Sequence, residues 1–379
     1  MRHNSTLQKS VDVAVIGGGI LGLAAAWAAA KRGLKVAIFE KNPRADGASL
    51  RNFGFITLSG QDPLAIWPRV LRSRELWLQL CEHARIPIHQ RGMLLLAQRP
   101  LAAQVLAEFM QTERGRGCRL LSRAEMRKTL APGMTDHLAG MLYSPHEIRV
   151  ESTEAIPQFT AWLQAAFAVE VYTDCEVVEI DHHTIRSSQG DWQAKYSIVC
   201  AGADSAGPMG GRIGSGNITC CQLQMLRLES PGFKFPATLM SDFSLIRYGD
   251  FAQQPAAIAL KQLLTQEHPE LIEHGIHLIV AQSDDGSLVV GDSHAYGLKP
   301  SGISQPNIDD LILAEYQRCF SQPAPVIRSR WLGVYSSRDG YPIVMESPQP
   351  NVRALAVTSG CGASIGLALG EEVIAHLLD

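Results

Sequence analysis

Residues 11–40, VDVAVIGGGILGLAAAWAAAKRGLKVAIFE, read as a single βαβ unit. Val11–Ile16 is a short apolar run of strand type, and Gly17, Gly19 and Gly22 follow it in the GxGxxG pattern. An Ala-rich, helix-favouring run occupies 21–31, Gly33 stops it, and residues 34–39 form a second strand closed by Glu40. Each position has a physical task. Gly17 permits the tight strand-to-helix turn, Gly19 lets a pyrophosphate approach the backbone, and Gly22 lets the helix lie close on the sheet. The helix start, beginning near Ile20, offers free N–H groups and partial positive charge to phosphates. Glu40 lies about 20 residues beyond the glycines, where a carboxylate accepts hydrogen bonds from ribose hydroxyls and repels a 2′-phosphate. The unit therefore predicts binding of FAD or NAD rather than NADP. Strand, glycines, helix, second strand and acid all occur in order, which a bare glycine-rich turn does not supply.

Working outward, the chain of 379 residues is long enough for two domains with full cores. Its net charge of −3 gives no global attraction to nucleic acid or an anionic membrane. The Trp residues are scattered, so they form no stacking array for nucleic acid. No apolar run approaches the ~18 residues that a bilayer span needs. Residues 1–10, MRHNSTLQKS, lack the apolar centre of a signal peptide and read as a frayed tail of a cytoplasmic protein. The cysteines at 81, 118, 175, 200, 220, 221, 319 and 361 show no CxxC pair and no metal-ligand spacing. Reduced thiols and no structural metal are expected.

After Glu40 a polar, glycine-rich segment, KNPRADGASLRNFGFITLSGQ, makes a long irregular connection of the kind that usually carries function. Helices are expected over 69–85, 101–112, 122–130 with a capping box between Ser122 and Glu125, from 152 with Pro157 in its first turns, 311–320 and 365–378. Strands are expected at 93–97, 138–143, 169–171, 176–181, 192–200, 330–335 and 352–358, with antiparallel strands over 219–248 and 275–290. His182–His183 reads as a hairpin turn, and His146 as an exposed loop residue with a weaker claim to touch substrate. The βαβ signals at the start, middle and end interleave with antiparallel segments. The expected fold is α/β (α+β overall), a Rossmann-like dinucleotide domain at 1–88, 150–216 and 328–379 with an inserted antiparallel-sheet substrate domain at 89–149 and 217–327.

Two further segments narrow the cofactor. SIVCAGA, residues 197–203, is a strand running into a small-residue turn where backbone can lie against a ligand. VTSGCGASI, residues 357–365, repeats that arrangement and starts a second helix, aimed at something electron-rich. In a flavoenzyme that target is the ring edge that becomes anionic on reduction.

In the order VAVIGGGILGLAAAWAAAKRGLKVAIFE, GASLRNFG, CEVVEID, SIVCAGA, RWLGVYSSRDGYPIV, VTSGCGASIGLALGEEV, the chain resembles the D-amino acid oxidase, glycine oxidase and sarcosine oxidase superfamily of FAD-dependent oxidoreductases. SLRNFGFITLSGQ, SRELWLQL and CQLQMLRLESP further resemble a bacterial subgroup associated with aminophosphonate catabolism. The resemblance implies that Gly17, Gly19, Ile20 and Gly22 serve the pyrophosphate, Glu40 and Lys41 the adenosine ribose, and Val177 the adenine. It puts Ser49, Arg51, Asn52 and Gly54 on the pyrophosphate and flavin side, with Ala201 and Gly202 near the phosphates. Gly360, Gly362, Ala363 and Ser364 would meet the flavin ring, and Gly333 is a further cofactor-binding position. Some relatives attach flavin through His or Cys; here Arg51 stands in that loop and Cys361 in a backbone-contact turn, so non-covalent FAD is expected.

The implied reaction is hydride transfer from a neutral amine to flavin N5, giving an imine that hydrolyses, with O2 or another acceptor taking the electrons. The implied substrate is a small amine bearing an anionic group, an amino acid or a 2-aminoethylphosphonate-like compound. A guanidinium suits that anion because it donates two parallel hydrogen bonds. Arg51, Arg247 and Arg338 are the candidates, with Tyr248 and Tyr335 beside two of them, and two converging arginines would favour a phosphonate. The alternatives are a flavin-dependent 2-hydroxy acid dehydrogenase, which needs a base beside the flavin that the sequence does not place, and a non-catalytic flavin-binding protein. Oligomeric state has no sequence signal.

Overall fold

The computed structural model describes residues 9–130, 134–204, 207–208 and 218–378. Of the expected N-terminal tail, residues 1–8 lie outside these, whereas Lys9 and Ser10 already belong to a strand. The expected domain junction at 216–217 also lies outside the described residues.

The strand Lys9–Ile16 sits inside an eight-stranded sheet, between Gly190–Val199 and Val36–Phe39, all parallel. Val352–Val357 and Glu170–Tyr172 extend the parallel set on either side, and Ile343–Gln349 closes one edge antiparallel. Val13, Ala14 and Val15 are wholly buried, as a strand covered on both faces requires. Val13 and Val15 face the helices Ile20–Ala30, Trp67–His83, Ser152–Phe167 and Gly362–Leu378. Ala14 and Ile16 face the opposite side, against Ile180, Ile185 and Trp192. The first and last helices touch through small residues: a Cβ on Gly370 would come within 2.4 Å of the Ala24 backbone carbon.

The second sheet has ten strands, in the order Ala295–Gly297, Thr219–Leu228, Leu288–Gly291, Ile279–Gln282, Thr238–Met240, Gln90–Ala97, Gly140–Arg149, Phe55–Ile56, with two more paired off that path. Its apolar core is filled by residues of the helices Pro100–Phe109, Pro255–Glu267 and Pro306–Phe320. It is mixed rather than purely antiparallel, because Thr238–Met240 pairs with Gln90–Ala97 in parallel.

Several sequence expectations change here. The strand expected at 330–335 spans Ile327–Ser337 and pairs along Thr219–Leu228, so it belongs to the second sheet and not to the nucleotide-binding one. Arg247 and Tyr248 are not on a strand: a short 3-10 helix, Asp242–Ile246, precedes them, and Tyr248 caps the next short helix. Their neighbours Asp242, Phe243, Ser244 and Leu245 are all buried, which alternation alone misreads as strand. The strand Gly140–Arg149 runs further than expected and takes in His146 and Glu147. The Ser122–Glu125 capping box, Pro157 within its helix and the turn at 182–183 are as read. Among the described residues no helix is long and apolar enough to cross a membrane.

Candidate cofactor and substrate site

The carboxyl ends of the parallel strands, at Ile16, Phe39, Cys200 and Val357, open on a cavity of about 860 Å³. Open parallel sheets bind ligands at this edge. Two glycines make the approach possible. Gly17 has φ +106°, and a Cβ there would stand 2.4 Å from the Cys200 carbonyl oxygen. At Gly22 a Cβ would stand 1.9 Å from the Gly17 carbonyl oxygen, so any larger residue pushes the helix off the turn.

The polar groups expected around a dinucleotide are held by a connected set of hydrogen bonds. Glu40 is buried at the end of its strand, and its carboxylate accepts from the Gly18 N–H at 2.9 Å and the Asn42 N–H at 3.0 Å. Lys41 pairs with Asp204 at 2.6 Å, which raises the ammonium pKa. Ser49 Oγ accepts from the Ile20 N–H at 2.9 Å at the helix start. Asn52 Oδ1 accepts from the Gly54 N–H at 2.6 Å and from Ser152 Oγ at 2.8 Å, while its amide donates to the Ala48 and Ser49 carbonyls. At the other helix start, Ser364 Oγ accepts from the Thr57 N–H at 2.9 Å, and Trp77 Nε1 donates to the Ala363 carbonyl at 2.8 Å.

The cavity wall includes Gly17, Gly19, Ile20, Glu40, Lys41, Ser49, Arg51, Asn52, Gly54, Val177, Ala201, Gly202, Gly333, Gly360, Gly362, Ala363 and Ser364. Gly22 is behind it, in the helix–turn contact. The features fit FAD: bare backbone at the glycine turn, a carboxylate at the far end of the second strand, and a second helix start lined by Gly360–Ser364 on the same cavity. Gly19 is open except for Ser49 Oγ, 3.0 Å from where a Cβ would be.

From the Gly360 turn the cavity continues into a chamber walled by the second sheet and its loops. Tyr335 lies over that turn, its ring carbon Cζ 3.1 Å from the position of a Gly360 Cβ. Arg247 donates to the Tyr296 hydroxyl at 2.9 Å. Burial works against the Arg247 charge, but Tyr296, Tyr335 and Asp292 raise its pKa on balance. Burial pushes the Tyr248 and Tyr335 hydroxyls well above the ordinary phenol range, so both are neutral donors.

Of the three candidate arginines, only Arg247 stands free to meet a ligand in this chamber. Arg51 lines the cavity, but its side chain donates to the Asp46 carbonyl at 2.6 Å and the Leu332 carbonyl at 3.3 Å. Arg338 does not line the cavity; its guanidinium carbon sits 4.2 Å from the Tyr341 ring centre. His146 is also away from it, with Nε2 2.8 Å from the Arg116 carbonyl oxygen.

Sequence reasoning missed His277, Asp292, His294 and Tyr296, all on the chamber wall. The signal was there: GIHLIV and LVVGDSHAY each place polar, titratable residues at the end of an otherwise apolar strand. Three of these side chains are buried, His277 and Asp292 at 4% exposure and His294 at 8%, whereas Tyr296 is exposed.

The fold and cavity define a two-sheet dinucleotide-binding enzyme architecture. Residues 12–376 match the sequence model of the family described as FAD dependent oxidoreductase, and the chain belongs to that family. It is 29% identical over 219 residues to glycine oxidase of Geobacillus kaustophilus (strain HTA426), covering 54% of this chain and 57% of the relative. It is 27% identical over 215 residues to monomeric sarcosine oxidase of Arthrobacter sp. (strain TE1826), covering 52% and 53%. The chain thus spans about half the length of these curated relatives in sequence. In structure, the crystal structure of glycine oxidase from Geobacillus kaustophilus superposes with a TM-score of 0.74 at 20% identity, over 98% of this chain and 95% of that one. The cofactor of the family is FAD.

Proposed function

We propose that the protein oxidises the C–N bond of a small amine bearing an anionic group, using non-covalent FAD. The observation that carries this reading is Arg247: a half-buried guanidinium near two neutral tyrosines, Tyr248 and Tyr335, in a chamber continuous with the flavin-side helix start. Such a group suits a carboxylate or phosphonate, through charge-assisted hydrogen bonds. FAD, when bound, supplies a two-electron acceptor for the carbon that carries the amine.

The chain's own residues supply position and electrostatics. Gly17, Gly19 and the start of the first helix hold the pyrophosphate, and Glu40 takes the ribose hydroxyls. Gly360, Gly362 and Ala363 present backbone N–H groups to the ring. Trp77 and Ser364 fix that turn by their bonds to Ala363 and Thr57. Tyr335 and Tyr248 wall the chamber and keep water from the reacting carbon. Arg247 fixes the anionic end, which orients the amine toward the ring.

The names of the sequence relatives, glycine oxidase and sarcosine oxidase, support an amino acid or N-methyl amine as substrate class. The phrases SLRNFGFITLSGQ, SRELWLQL and CQLQMLRLESP support the narrower choice of 2-aminoethylphosphonate or its N-methyl form. With one free arginine rather than two in the chamber, neither anion is preferred on charge. The eight free thiols suit a reducing, cytoplasmic setting. We infer a chain divided as the sequence suggests, with 327–337 assigned to the substrate-binding part.

A second reading, oxidation of a 2-hydroxy acid, gains from His277 and His294, which place imidazoles in the chamber where the sequence offered none. One experiment separates the two. Purified holoenzyme is mixed without oxygen with 2-aminoethylphosphonate, its N-methyl form, glycine, sarcosine, D-alanine and a set of 2-hydroxy acids. Flavin bleaching by amines alone is expected. Bleaching by hydroxy acids alone overturns the amine reading, and bleaching by none favours a flavin-binding protein without turnover.

A further inference from the structure

Asp292 and His294 follow the strand Leu288–Gly291, and His277 precedes its antiparallel neighbour Ile279–Gln282. Backbone bonds lock the junction: the Asp292 N–H donates to the His277 carbonyl at 3.1 Å and the His294 N–H to the His274 carbonyl at 2.9 Å. The three side chains converge, with one ligating atom from each within 4.8 Å of the others.

The proton positions follow from the partners. His294 Nδ1 lies 2.9 Å from the Gly275 carbonyl oxygen, which only accepts, so Nδ1 carries the hydrogen. A neutral His294 ring then turns its Nε2 lone pair toward Asp292 Oδ2, 3.7 Å away. A lone pair facing a carboxylate is repulsive unless something positive comes between them. His277 is held differently. Its Nδ1 is 3.2 Å from Ser244 Oγ and its Nε2 is 3.2 Å from Asp292 Oδ1. With the Ser244 hydroxyl donating to Nδ1, the hydrogen stands on Nε2 near Asp292, but the alignment makes no hydrogen bond, and among the described residues Asp292 Oδ1 has no hydrogen-bond partner.

The titratable and charged groups facing Asp292 are His277, His294, Arg247, Tyr248 and Cys221. Burial, with Arg247 close by, holds both histidines neutral, far below their ordinary pKa. Burial pushes the Asp292 carboxyl up to about 7, with Arg247 opposing. Arg247 also makes a second cation in the gap costly. A proton fits the gap better than a metal ion.

We propose that Asp292 is the proton acceptor for the substrate's ammonium group, with His294 as the positioning residue that shares the proton. The N–H bond of the ammonium breaks, an O–H bond forms on the Asp292 carboxylate, and the nitrogen keeps the electron pair as a neutral amine. No electrons leave the substrate in this step. The chamber thereby matches a zwitterion, with Arg247 for the acid end and Asp292 for the ammonium end. The inference rests on the amine reading above.

The test is anaerobic stopped-flow bleaching of the holoenzyme by 2-aminoethylphosphonate or, if it bleaches faster, glycine, across about pH 6–10. With an internal base, the second-order bleaching constant of the wild type rises through the neutral range and is level by about pH 8.5. In Asp292→Asn the amine must arrive already neutral. The constant at pH 7 then falls ~10²–10³-fold and climbs tenfold per pH unit toward the amine's own pKa. His294→Gln, which keeps the carboxylate, shifts the wild-type limb rather than abolishing it. A wild-type constant still climbing tenfold per unit at about pH 9 overturns the proposal, even if the Asp292 variant does not fold. So does a stoichiometric metal ion whose removal by chelator stops bleaching. Absence of bleaching by every amine in the wild type sinks the amine reading itself, a result distinct from the other two.

Discussion

Replacing Arg247 by glutamine removes the charge and the fork while keeping length and some hydrogen-bonding capacity. A hydrogen bond to a charged group contributes about 1.5–3 kcal/mol. Arg247 is half-buried and donates to the Tyr296 hydroxyl, while Arg51 on the same cavity wall is held by backbone carbonyls, so the lost guanidinium is not replaced by that second arginine. The Kd for an anionic amine, read from the concentration dependence of anaerobic bleaching, is therefore expected to rise about 10- to 150-fold. A lysine should recover only part of this, since it offers a point charge without the planar fork. The substitution also acts through Asp292 and the histidines. Arg247 holds the Asp292 carboxyl down and the two imidazoles down. In R247Q all three rise, and the acid limb of the bleaching constant moves to higher pH. A neutral amine without the anionic group should lose little affinity. The reasoning is refuted if R247Q retains flavin and its Kd for every anionic amine changes less than about threefold.

Three other outcomes follow from the packing. Gly22→Ala puts a methyl 1.9 Å from the Gly17 carbonyl oxygen, so the purified variant should carry little flavin, measured by the ratio of visible to 280 nm absorbance. Ser364→Ala removes the acceptor for the Thr57 N–H and should lower stability by about 1–3 kcal/mol in denaturant titration, with a weaker hold on FAD. Glu151 accepts from Arg149 at 2.8 Å, Arg227 at 3.0 Å and Ser283 at 2.8 Å. Burial alone would raise its pKa, but the two arginines and Ser283 bring it down to about 2. Its stabilising contribution is complete above its ordinary value of 4.5 and is lost as pH falls toward about 2, roughly 3 kcal/mol in all. Glu151→Gln leaves the fully buried Arg149 charge uncompensated, and should cost about 3–5 kcal/mol at neutral pH and flatten that acid dependence.

The nucleotide half of the molecule was legible because local chemistry specifies it. Gly17, Gly22, Glu40 and the glycines at 360 and 362 each answer a backbone or charge requirement that sequence spacing exposes. The substrate half was less legible for physical reasons. Ile327–Ser337 looks like any returning strand, and only its pairing with Thr219–Leu228 assigns it to the second sheet. Arg338 and Arg247 are alike in sequence, yet Arg338 stacks over Tyr341 outside the cavity while a buried 3-10 turn delivers Arg247 into it. His277, Asp292 and His294 meet only because two strand ends are brought side by side. Polar residues at the ends of apolar strands are the one trace of this in the sequence.

The central claim is flavin-dependent oxidation of an anionic amine, and its most direct measurement is a single anaerobic turnover. The visible spectrum of the purified protein is recorded before and after 2-aminoethylphosphonate, glycine or sarcosine is added, and carbonyl product is counted against flavin. The account predicts a yellow protein, bleaching by at least one of these amines, and one carbonyl product released per flavin reduced. A colourless protein that takes up no FAD, or bleaching without carbonyl product, would contradict it.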